Sequence, residues 1–97
     1  MRLDLFLKAS RLIVRRSLAQ EFCDAGFVKV NNLNAKSSRE IKANDEIEIK
    51  RRNRLLKIRV LQVPKSKQVS RSEAMQLYEI IGEEISDDEL ESEIATG

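Results

Sequence analysis

The chain has no histidine and no tryptophan, and only one cysteine and one proline in 97 residues. Without histidine and with a single thiol, a Cys/His zinc site and an internal disulfide are both excluded, and no metal or cofactor is expected. Three glycines, at positions 26, 82 and 97, leave no glycine-rich loop to cradle a nucleotide phosphate. No nucleophile stands out beside a base, so no catalytic residue, enzymatic activity or small-molecule substrate is expected. No apolar run approaches the roughly 20 residues a membrane helix needs, and the first residues lack the apolar stretch of a signal peptide. A cytoplasmic protein without membrane contact is the expectation. The length allows one small domain with a core of marginal size.

Basic residues are missing from the C-terminal quarter, and this shortage is the most informative one. All 18 Lys and Arg residues lie between Arg2 and Arg71 among seven acids, a net charge of +11. From Ser72 to Gly97 there are nine acids and no base. A basic body with an acidic end points to a nucleic-acid partner.

Arg2 to Ser10 reads as a short helix, because Leu3, Phe6 and Leu7 share one side. Leu12–Val14 form an apolar link. A second helix runs from about Arg15 to Ala25, with Leu18 and Phe22 on its apolar side and Arg16, Gln20 and Asp24 on its polar side. Gly26 fits the left-handed position that closes a helix. Phe27–Val30 read as a strand and Asn31-Asn32 as a tight turn. Leu33–Lys36 read as a second strand or its approach, and Ser37–Ala43 as a loop. Glu46–Lys50 alternate as a half-buried strand, Arg51–Arg54 form a basic hairpin tip, and Leu56, Ile58 and Val60 continue the alternation. Ser70 and Glu73 match a capping box, followed by Ala74, Leu77, Tyr78 and Ile81, which predicts a helix over residues 71–81. Ser86 and Glu89 repeat that pattern, yet the acidic stretch from Glu83 is expected to be disordered.

Arg2-Leu3-Asp4 with Leu7, then Arg16 and Ala19, Gly26, Val28, Val30-Asn31, and Asp45 with Ile47 resemble the S4-type RNA-binding domain. The family pattern is RLDxxL, SRxxA, GxVxVNG and GDxI. Arg15 stands in place of the usual Ser, and Asn32 and Asn44 in place of turn glycines. The opening through Ala19 is similar to the stand-alone RqcP proteins of bacterial ribosome-associated quality control and to the related heat-shock ribosome-recycling proteins. Glu73 to Tyr78 resemble the RqcP C-terminal helix. The resemblance implies binding of rRNA and tRNA on the large ribosomal subunit holding a stalled peptidyl-tRNA, through the first two helices and an adjoining loop. A monomer is expected.

Arg2, Arg11, Arg15 and Arg16 are the foremost candidate RNA contacts, since guanidinium forks bond phosphate and are weakly hydrated. Lys8, Lys29, Lys36 and Lys42 would add salt-dependent attraction. Lys50 to Arg54 gather four cations in five residues, which nominates Arg51 and Arg52 as phosphate contacts at a rim. The plain alternative for each is a solvated basic face. Asp4 is expected to be structural, its place in the family pattern implying a helix-start role or an inter-helix ion pair with an arginine of the second helix, and Cys23 and Tyr78 are expected to be core residues.

The expected architecture is α+β and S4-like. Two N-terminal helices pack on a small, mostly antiparallel sheet of three to five strands, with a C-terminal helix and an acidic tail. Residues 1–65 form the RNA-binding unit, 66–82 the helix packed on it, and 83–97 the tail. The expected function is noncatalytic binding of structured RNA. The alternatives are a protein-interaction adaptor using the acidic tail, a ribosome assembly factor, or binding to another RNA.

Overall fold

The computed structural model describes residues 1–85. Helices α1 (Leu3–Ala9) and α2 (Arg16–Asp24) come first, followed by strands β1 (Val28–Val30) and β2 (Leu33–Asn34). Strands β3 (Glu46–Arg51) and β4 (Arg54–Val60), a short α3 (Arg71–Met75) and β5 (Tyr78–Ile85) complete the order. The strands form one antiparallel sheet in the order β2-β1-β3-β4-β5.

Strand alternation divides the sheet into two faces. Val28, Val30, Ile47, Ile49, Ile58 and Val60 point to one side and are buried with Leu3, Phe6 and Leu7 of α1 and Ala19 and Cys23 of α2. Lys29, Glu48, Lys57 and Arg59 point to the other side. There Lys57 reaches Glu46 and Glu48, and Arg59 reaches Glu46 and Glu79, within 3.0–3.6 Å. Opposite charges in register across strands thus neutralise much of the open face.

Helices α1 and α2 each end on a left-handed residue, Arg11 and Gly26. After α2, Gly26 has φ +81°, its N–H reaches the Cys23 carbonyl, and the Phe27 N–H reaches the Phe22 carbonyl at 2.9 Å. The Phe22 and Phe27 rings meet edge to face at 5.8 Å, the apolar contact that accompanies this helix stop. Asn31 and Asn32, at φ 52° and 70°, make the two-residue turn that sets Val30 opposite Leu33. Leu3 and Asp4 donate backbone hydrogen bonds to Arg39 and Ser37, so the 37–41 segment holds the start of α1.

The C-terminal part corrects the expectation of a helix over residues 71–81. Ser70 caps α3 by accepting the Glu73 N–H at 3.2 Å, but the helix stops at Met75. Tyr78 onward pairs with β4, with Tyr78 opposite Val60 and Glu79 opposite Arg59. The open edge of β4 supplies a full row of backbone partners, and Tyr78, Ile80 and Ile81 suit a strand. Ile81 is the extra residue of a bulge, since Ile58 faces Ile80 while Lys57 faces Gly82. That extra residue let the apolar spacing pass for a helix. The strand also takes in Glu83 and Glu84, expected to begin the tail. Residues 86–97, with the Ser86–Glu89 pattern, lie outside the described residues.

Candidate nucleic-acid interface

The packing of α1 on α2 is organised by a buried charge. The Asp4 carboxylate is fully buried and accepts the Leu5 N–H at 2.8 Å, Gln20 Nε2 at 2.8 Å and Arg16 Nε at 3.1 Å. Arg2 adds two contacts at 3.3 Å, from Nε and one terminal nitrogen. Burial acts to raise the carboxyl pKa, but the hydrogen bonds from Gln20, Arg16 and Leu5 and the Arg16 charge outweigh it and hold Asp4 below its ordinary value. Arg2 and Arg16 are therefore structural partners as well as candidate contacts. Their side chains remain 42% and 40% exposed, so the outer edges of both guanidinium groups stay open to a ligand.

Beyond α1 the chain turns sharply at Arg11, whose φ of 63° is unusual for a residue with a side chain. Its guanidinium donates to the Val69 carbonyl at 3.2 Å, which joins the helix end to the loop before α3. Lys8 and Arg11 line a cleft of about 450 Å³ with Lys67 and Arg71. Arg15, the residue ahead of α2, is exposed, and Val14 beside it is 72% exposed.

At the β3–β4 hairpin, Arg51 donates to the Leu12 carbonyl at 2.6 Å and lies 5.6 Å from the centre of the Phe22 ring. It fastens the hairpin to the link between the helices, combining a hydrogen bond with a cation–π contact. Arg54 pairs with Glu83 at 2.6 Å. Within the run Lys50 to Arg54, Arg51 and Arg54 thus have partners inside the protein. Lys50 and Arg52 retain no ion-pair partner among the described residues.

The ten candidates named from the sequence do not form a single cradle. Arg2 and Arg16 share Asp4, Lys8 and Arg11 share the cleft beside α1, and Arg51 bridges hairpin and linker. Lys29 and Arg52 belong to a wider cleft of about 640 Å³ that also involves Lys50, Phe27 and Leu55, on the sheet side away from the helices. Lys36 and Lys42 are exposed in the segment leading to β3. Lys67 and Arg71 are not among those ten, although the basic run Lys65-Ser66-Lys67 up to Arg71 carries the signal. Cys23 is buried, and burial together with Asp4 and Asp24 pushes its thiol up to about 11, so it is a core residue. Tyr78 packs against the core from β5.

Residues 1–47 match the S4 domain family. The chain is 47% identical over 83 residues to the RQC P-site tRNA stabilizing factor of Streptococcus pneumoniae, covering 86% of this chain and 92% of the relative. The chain belongs to the RQC P-site tRNA stabilizing factor family. The Bacillus subtilis member is 39% identical, with 87% of this chain and 95% of the relative aligned. Among solved structures, heat shock protein 15 of Vibrio cholerae, described as trimeric, superposes with a TM-score of 0.76 at 28% identity. That likeness covers 84% of this chain and 82% of the other. The solution structure of hypothetical protein HP1423 gives 0.74 at 34% identity, over 84% and 98%. These likenesses establish the α+β, S4-like architecture, and membership identifies a noncatalytic RNA-binding protein.

Proposed function

We propose that the chain binds rRNA and P-site tRNA on the large ribosomal subunit holding a stalled peptidyl-tRNA, and keeps that tRNA in place during ribosome-associated quality control. The reading rests on near full-length similarity to the P-site tRNA stabilizing factors. The side of the molecule bearing α1 and α2 supports it, because Arg2, Arg11, Arg15 and Arg16 stand on or beside two helices locked together by Asp4. Holding a tRNA requires position and charge rather than bond chemistry. A surface presenting guanidinium groups from rigid elements suits the phosphate contour of folded RNA, whose deep groove is closed to side chains.

In this reading the protein works as a monomer in the cytoplasm. Light scattering separates that form from the trimer described for the Vibrio cholerae protein. Binding of the purified chain to large subunits with and without peptidyl-tRNA tests the function, and tighter binding to the loaded particle is expected. Arg16→Ala should weaken binding roughly tenfold, the effect of deleting one charge-assisted hydrogen bond. Because Arg16 also bonds Asp4, Arg15→Ala is the cleaner variant, with weaker binding at unchanged stability. Equal affinity for both particles overturns the reading.

A further inference from the structure

We infer that the cleft bounded by Lys8, Arg11, Lys67 and Arg71 is a second phosphate-binding site, which grips the sugar–phosphate backbone of the RNA held on α1 and α2, an extension that rests on the RNA-binding role proposed above. Two stretches of chain far apart in sequence converge there: the end of α1 with the linker after it, and the loop running into α3. The cleft has no carboxylate in its lining. Bringing four cations to one concave surface without a carboxylate among them is unfavourable unless an anion enters.

The open sheet face, where Lys57 and Arg59 meet Glu46, Glu48 and Glu79, shows how this chain neutralises cations that serve the fold. Lys8, Arg11, Lys67 and Arg71 have no such partner among the described residues. Arg11 is also preset. Its left-handed backbone and its bond to the Val69 carbonyl fix the guanidinium across the cleft before any ligand arrives. Strain of this kind is retained where the position of a side chain matters. Val14 on the rim offers an exposed apolar surface to a ribose or base edge. The volume of about 450 Å³ admits a phosphate with its sugar but not a duplex.

The test compares the full chain with Lys67→Ala/Arg71→Ala and with the charge-preserving Lys67→Arg/Arg71→Lys. Arg11 is left in place because it also supports the loop. Binding to large subunits loaded with peptidyl-tRNA is followed from about 50 to 300 mM salt. The alanine pair should weaken binding at least roughly tenfold and flatten the dependence of log affinity on log salt by about two, one for each phosphate no longer neutralised. The charge-preserving pair should keep the wild-type slope. An unchanged slope in a folded alanine pair overturns the assignment. Independently, NMR titration with inorganic tripolyphosphate should shift the amides of Arg11, Lys67 and Val69, and shifts confined elsewhere count against the cleft. Shifts at these amides in a protein that ignores the loaded subunit leave the phosphate site standing and remove the ribosomal role instead.

Discussion

Arg11 and Gly26 occupy the same kind of position, the left-handed residue that ends a helix, with opposite chemistry. At Gly26 no atom lies within 4 Å of an added Cβ, so Gly26→Ala meets only the backbone penalty and should cost about 1–2 kcal/mol in denaturant unfolding. At Arg11 the penalty is already present. Arg11→Gly relieves that penalty but loses the bond to the Val69 carbonyl, so stability should change by less than about 1 kcal/mol in either direction while RNA binding weakens. A stabilised variant with intact affinity would show that Arg11 serves neither the loop nor the RNA. Asp4 is the other decisive residue. Asp4→Asn should destabilise the protein by about 2–3 kcal/mol, since it removes charge-assisted bonds to Arg2, Arg16 and Gln20. The native carboxyl is held below its ordinary value of 3.8, so its contribution is complete above that value and lost as pH falls through the lowered one. Thermal melts of the two proteins should therefore differ at neutral pH and converge in acid.

At the scale of elements, Arg51 ties the hairpin joining β3 to β4 to the linker between the helices. Arg51 donates to the Leu12 carbonyl and covers the Phe22 ring, so hairpin and helix linker move as a unit. Arg51→Ala should speed amide exchange at Arg52 and Asn53 and weaken subunit binding several-fold, with little change in the exchange of β1 and β3 core amides. Arg51→Lys should recover only part of this, because an ammonium lacks the planar fork that serves carbonyl and ring together. Equal exchange in wild type and Arg51→Ala would show that the hairpin needs no such tether. The β5 strand illustrates the complementary case, an element made by its neighbour. Its sequence carries helical spacing, but the unfilled edge of β4 provides partners from Val60 to Arg54, and one bulged residue absorbs the mismatch.

For the molecule as a whole, the position of charge matters more than its total. Among the described residues, Arg2 and Arg16 pair with Asp4, Arg54 with Glu83, and Lys57 and Arg59 with the acids of the open face. The remaining cations are distributed over the helix side, the loop before α3, the segment leading to β3, the hairpin tip and, at Lys29, the open sheet face. Arg59→Ala removes a charge already neutralised, so it should change subunit affinity by less than about twofold, whereas Arg15→Ala should lower it clearly. An equal drop in both variants would mean that only net charge counts. Salt titration of the wild-type protein should show a steep decline in affinity, since phosphate binding releases counterions.

Much of the molecule is written in local pattern. Apolar spacing set α1, α2, β3 and β4, Gly26 and the Asn31-Asn32 pair set the turns, and the charge split pointed to a polyanion, because each is decided by neighbours a few residues apart. The sequence also carried Asp4 as a structural acid. What required the folded chain was every relation across long separations: β5 in place of a longer helix, Arg51 directed to Leu12, and Lys67 and Arg71 meeting Lys8 and Arg11. Those outcomes depend on which backbone edge is left open and which carboxylate lies within reach, and both are settled only when distant segments pack.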